Sequence, residues 1–141
     1  MYGRCHCGNV RFDLAWPEGL DRVPARMCAC TFCQKHGATW TSHPDAKLVV
    51  QVTDPAQVER YRFGTETADF HVCRGCGVPV IATSRIDGRE YAVVNVNTFE
   101  DFDAARLDRG AADFEGESFS DRLARRQSRW IADVRFVVTP G

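Results

Sequence analysis

The sequence carries no surplus of positive charge. Its 18 Lys and Arg face 19 Asp and Glu, for a net charge of −1 and a pI near 6.4, which leaves no basic stripe of the kind that phosphate-backbone binding needs. No apolar run approaches the length of a membrane span. The opening "MYGRCHCGNV" is polar and cysteine-bearing where a secretory signal would be apolar. No nucleic acid and no membrane partner is therefore expected, and the expected location is cytoplasmic. Internal repeats, low-complexity tracts and linkers are also missing, so residues 1–141 are expected to form a single domain. With 44% apolar and 26% charged residues, the chain can build an ordinary globular core.

An eighth cysteine is missing too. The seven present are Cys5, Cys7, Cys28, Cys30, Cys33, Cys73 and Cys76. An odd number cannot all pair within the chain, and a bridge between Cys5 and Cys7 would be geometrically strained. In a reducing compartment, closely spaced thiols bind metal more often than they form disulfides.

What is present in abundance is short alternating apolar pattern. Val10, Phe12 and Leu14 share one face of "VRFDLA", and Leu48, Val50 and Val52 one face of "KLVVQV"; both read as strands. Further strands are expected at 58–63, 67–72, 78–83, 90–97 and 133–138, separated by turn residues that include the hairpin signal Asp87–Gly88. One helix is expected over 119–130, capped by Ser118 or Ser120, with Phe119, Leu123 and Trp130 on its apolar face. The polar, glycine-punctuated stretch 108–118 reads as a long loop. The fold expected is mostly β and antiparallel.

Spacing divides the cysteines. "CHCG" (5–8) and "CRGCG" (73–77) each place two thiols on a tight turn followed by glycine. The glycine permits a left-handed backbone, so turn N–H groups can point at the thiolates. Cys5, Cys7, Cys73 and Cys76 together make the four-thiolate set of a closed structural zinc site, whose binding energy contributes to folding. A redox role for "CRGC" would need a helix starting at the cysteines, and "GVPV" follows instead.

Cys28, Cys30 and Cys33 are then left as a set of three in "CACTFCQKHG". Three protein ligands with one open position are the pattern of a catalytic zinc. Three thiolates on one dication suit an incoming thiol better than a carbonyl, because a coordinating thiol loses its proton. Spacing alone leaves an alternative open, in which His36 or His43 closes the site as a fourth, structural ligand. His6 and His71 neighbour the other cluster and read as turn or strand positions.

The ordered motifs "GRCHCGNVRF", "CACTFCQKHG" and "FHVCRGCG" resemble the glutathione-dependent formaldehyde-activating enzyme family, which includes centromere protein V. The resemblance runs from Gly3 to about Asn97. It implies a β-tent fold, small coiled antiparallel sheets around a structural zinc, here with one short C-terminal helix. It implies two zinc ions, a structural one on Cys5, Cys7, Cys73 and Cys76 and a catalytic one on Cys28, Cys30 and Cys33. The implied activity is that of a carbon–sulfur lyase, adding glutathione through its thiol to formaldehyde to give S-(hydroxymethyl)glutathione. A glutathione carrier without catalysis and a zinc-stabilised interaction module are the competing classes.

Glutathione carries two carboxylates, so its site should offer cations or backbone N–H groups near the open metal. Lys35, Arg74 and the helix residues Arg122, Arg125, Arg126 and Arg129 are the candidates. The preferred reading of the helix run is a solvated face with Asp121 pairing Arg125. Phe32, Trp40 and Tyr91 can line a pocket, but core is the default for aromatics in a small β domain.

Overall fold

The computed structural model describes residues 1–140, and Gly141, the last residue of the expected domain, lies outside them. In chain order the strands are β1 (Tyr2–Arg4), β2 (Val10–Ala15), β3 (Val23–Cys28), β4 (Trp40–Thr41), β5 (Lys47–Val52), β6 (Val58–Tyr61), β7 (Asp69–Cys73), β8 (Pro79–Ile86), β9 (Arg89–Asn95), β10 (Phe99–Glu100), β11 (Leu107–Ala112) and β12 (Asp133–Val138). A short helix α1 (Thr31–His36) follows β3, and the main helix α2 (Phe119–Arg129) precedes β12. The expected mostly β fold is what the chain adopts.

Five strands form one sheet in the order β10-β1-β2-β5-β12, and seven form the other in the order β11-β3-β4-β9-β8-β7-β6. The alternation in β2 and β5 does what it predicts. Phe12 pairs Val50 and Leu14 pairs Leu48 across the ladder, and all four are buried in one core. Most pairs are antiparallel, but β11 runs parallel to β3 and β12 parallel to β5.

Strands β8 and β9 are buried on both faces and separate two cores. Val80, Ile81, Ala92 and Val94 join the core shared with β2 and β5. Their neighbours Ala82, Tyr91 and Val93 join a second core with Trp40, Trp130 and, at its margin, Leu123 of α2. Side chains alternate across a strand, so the larger sheet has one face against the smaller sheet and the other beneath the helix. The helix is anchored at its end by paired backbone bonds between Ala92 and Ile131, 2.9 Å each way.

Three expectations need correction. Residues 107–112 are strand β11, not loop: "LDRGAA" is exposed along its middle and has no alternation, and it is ordered by backbone pairing to β3. Phe119 is 57% exposed and does not join Leu123 and Trp130 on the buried face. It opens the helix next to the cap, where Ser118 Oγ accepts from Asp121 N at 3.1 Å. Arg125 pairs with Glu117 rather than Asp121, Nε and Nη2 donating to its carboxylate at 2.9 and 3.2 Å.

Candidate metal centres and cavity

The turns after β1 and β7 bring Cys5, Cys7, Cys73 and Cys76 together, with all four sulfurs within 4.8 Å of one another. Gly8 and Gly77 follow the ligand pairs with φ of 85° and 80°, the left-handed backbone expected of them. These turns close with Gly8 N donating to Cys5 O at 3.2 Å and Gly77 N to Cys73 O at 2.7 Å, and Val10 N donates to Cys5 Sγ at 3.4 Å. No helix starts at the "CRGC" turn; the chain passes into β8. All seven cysteines are free thiols.

Distances test whether a metal fits. Four sulfurs about 2.3 Å from a tetrahedral zinc lie about 3.8 Å apart. Cys5 Sγ to Cys7 Sγ is 3.8 Å and Cys7 Sγ to Cys73 Sγ is 3.5 Å, so the tetrad is already at metal-binding separation. Cys5 and Cys73 are fully buried within the sheet-to-sheet core. Burial pushes the Cys73 thiol up to about 12. At Cys76 burial pushes the same way but is outweighed by the N–H groups of Cys7 and Val78, which bring it down to about 6. A dication held by these four cysteines would favour thiolate at every position and so remove this uneven ionisation.

Cys28 closes β3, and Cys30 and Cys33 flank the start of α1, their sulfurs again within 4.8 Å of one another. Cys30 is the N-cap, its sulfur accepting from Cys33 N at 3.4 Å. Trp40 Nε1 donates to Cys33 Sγ at 3.3 Å. The Cys33 thiol hydrogen bond draws Cys28 down to about 5, against its burial and with help from Cys30 N–H and the positive charge of Arg125; that same bond and burial push Cys33 well up. The donor set fits a soft tetrahedral cation such as zinc with a position to spare. No histidine joins the cluster among the described residues. His36 stands at the exposed end of α1 with its ring against Phe32, centroids 4.4 Å apart, and His43 accepts from Asp45 N with its ring against Trp16. His6 is exposed, and His71 is buried with Nε2 2.8 Å from Thr83 Oγ1.

The three-cysteine cluster lines a cavity of about 640 Å³. Its walls include Trp40, Phe63, Phe70 and Trp130, with Arg26, Arg122, Arg125, Arg126 and Arg129 and the acids Asp113 and Glu115. Of the expected cationic candidates, the helix arginines therefore face the cavity. That corrects the solvated-face reading, and its physical reason is position: Arg126 lies three residues after Leu123 and four before Trp130, on the buried side of the helix. Lys35 is exposed, and Arg74 pairs with Glu59 at 3.2 Å away from this wall. Tyr91 is core, and Phe32 packs among Tyr61, Phe63 and Phe70 over α1. Phe63, Phe70 and the 113–115 segment belong to the site without any prior signal, because the chain folds them in from strand ends and the loop before α2.

The site and fold define a β-rich protein with two separate thiol clusters, each able to hold a metal ion, one of them opening on a cavity. The chain belongs to the family of the glutathione-dependent formaldehyde-activating enzyme, whose model matches residues 1–115. A crystal structure of a Rhodobacter sphaeroides protein is similar at 32% identity and a TM-score of 0.53, covering 74% of this chain and 93% of that one.

Proposed function

We propose that the protein is a zinc-dependent carbon–sulfur lyase of the S-(hydroxymethyl)glutathione synthase type, with Cys28, Cys30 and Cys33 holding the catalytic zinc and Cys5, Cys7, Cys73 and Cys76 the structural one. The observation that carries it is the contrast in ligand number and setting: four sulfurs at the margin of the inter-sheet core, with Cys5 and Cys73 buried, Cys76 half-buried and Cys7 exposed, against three on a cavity wall. The family to which the chain belongs supports glutathione and formaldehyde as its small-molecule partners.

A zinc ion on the three cysteines would take the glutathione thiol as fourth ligand and favour its thiolate. The protein's own contribution is setting and orientation. Trp40 Nε1 fixes Cys33 by its hydrogen bond, and the α1 turn fixes Cys30 through Cys33 N. Trp40, Phe70 and Trp130 supply apolar walls that limit water around the sulfur. In the forward direction the sulfur forms a bond to the formaldehyde carbon, the carbonyl π electrons move to oxygen, and that oxygen takes a proton from solvent. Reversal returns thiol and aldehyde. A free thiol of pKa near 8.5 is only a few per cent ionised at pH 7, so full ionisation gives about tenfold or more before orientation is counted.

The test is the rate of S-(hydroxymethyl)glutathione formation with wild type, with Cys30→Ser and with buffer, at matched reactant concentrations. Wild type should exceed buffer, and Cys30→Ser should fall to the buffer rate while remaining folded. A wild-type rate equal to buffer with glutathione still bound replaces the lyase by a carrier. Without glutathione binding, an interaction module is left.

A further inference from the structure

Arg126 is a charge in an unusual place. Its side chain is 6% exposed, on the face of α2 that looks into the cavity. Among the described residues it forms no salt bridge, and both of its hydrogen bonds leave from Nη1, to Thr67 Oγ1 at 2.8 Å and Ser84 Oγ at 3.0 Å. Its Nε is buried without a partner. The guanidinium lies 5.0 Å from the Trp130 ring centroid. Two neutral hydroxyls and one cation–π contact on the Trp130 ring face, on the order of 1–2 kcal/mol, do not fully compensate a buried cation, whose desolvation costs several kcal/mol unless a counter-charge is supplied.

The protein supplies no direct ion pair to it, only the more distant charge of Glu117, which is outweighed by burial and by Arg125 and Arg122. The nearby carboxylate of Glu117 is engaged by Arg125 at 2.9 Å and by Arg122 at 3.8 Å, and Arg122 and Arg125 add positive charge that, after burial, lowers the Arg126 pKa to about 10. Asp113 and Glu115 are exposed residues of the wall. With Nη1 held by two hydroxyls and Nη2 neither hydrogen-bonded nor enclosed, the guanidinium of this cavity-lining residue has a terminal nitrogen left to donate to an entering carboxylate. A solely structural role would be served by a neutral residue, at lower desolvation cost.

We propose that Arg126 is a binding and specificity-determining residue that anchors a carboxylate of the thiol ligand inside the cavity. The inference rests on the thiol-activation reading for the identity of the ligand, and it assigns to α2, which lies beyond the family-matched residues 1–115, the selection of acidic thiols over neutral ones. The cysteine cluster binds sulfur and the helix checks for the acid.

The test separates this from the reaction itself by using a ligand whose sulfur is blocked. Calorimetry with S-methylglutathione and with its diethyl ester is run on the metal-loaded wild type, Arg126→Lys and Arg126→Met, with near-UV circular dichroism and metal content checked for each. Wild type should bind the acid about tenfold or more tighter than the ester, the scale of a charge-assisted pair. Arg126→Met should abolish that preference and Arg126→Lys keep part of it. If Arg126→Met does not fold, the wild-type preference and its reduction in Arg126→Lys decide. Equal binding of acid and ester by wild type, a preference unchanged in either variant, or no binding of S-methylglutathione overturns the inference. Failure of the lyase reading registers elsewhere, as a wild-type rate equal to buffer with the acid preference intact.

Discussion

The two cysteine clusters occupy opposite faces of one sheet, and the difference between them is a difference in neighbours. Cys5 and Cys73 sit in the core between the two sheets, in one cluster with Val10, Val80 and Ile81, while Cys76 is half-buried and Cys7 exposed at the rim. Cys28, Cys30 and Cys33 sit on the helix-covered face beside aromatic and cationic walls. The first arrangement ties the N-terminal turn to the β7–β8 turn; the second leaves sulfur facing empty volume. On the proposed function, the same ligand atom would serve folding on one side and ligand binding on the other, according to whether a fourth cysteine completes the set.

Removing one ligand from each side should break the symmetry of the pair most visibly. Cys73→Ser should abolish soluble, folded protein, because metal binding of order 10 kcal/mol is comparable with the whole stability of a domain; soluble yield and near-UV circular dichroism report this. Cys30→Ser should leave a folded chain whose metal content falls from two ions to one. Equal damage from both would count against the division.

A gentler comparison uses a chelator, which should take the metal of the three-cysteine cluster first because that site exchanges its fourth ligand. Gentler still is His36→Ala. With its ring on Phe32 and outside the sulfur cluster, His36 should be dispensable for both metals, and loss of the second metal in this variant would make that site closed.

A small effect, on stability alone, is expected at Glu117. The Arg125 hydrogen bond, opposed by burial, holds its carboxyl below the ordinary range. A depressed folded pKa contributes stability above the unfolded value and loses it as pH falls through the folded one. Glu117→Gln should cost about 1 kcal/mol at neutral pH, and the difference from wild type should shrink as the pH drops below about 4.5, followed by thermal melts. A constant difference across that range would show that the Glu117 charge is not what stabilises this corner.

The cysteine division was legible because metal ligands must be near one another and glycine must follow a tight ligand turn; both constraints act on a few adjacent residues. Strands β2 and β5 were legible because one face of each is buried and alternation records it. Strand β11 left no such record, since its order comes from pairing with β3 and its side chains stay in water. Helix α1 is too short for a periodicity to emerge. Arg126 did leave a trace: a charge at the i+3 position from Leu123 and i−4 from Trp130 interrupts an otherwise apolar stripe. The run of four arginines hid it, because three of them can be solvated or paired while the fourth is buried, and only packing distinguishes them.

The central claim, a closed tetrad and an open triad, is tested most directly by zinc-edge X-ray absorption on protein loaded with two zinc ions. The account predicts an average of about 3.5 sulfurs per zinc in the free protein, with an oxygen neighbour making up the difference, rising to about 4 when glutathione is added. An average unchanged by glutathione, or a histidine nitrogen in place of the oxygen in the free protein, would contradict it.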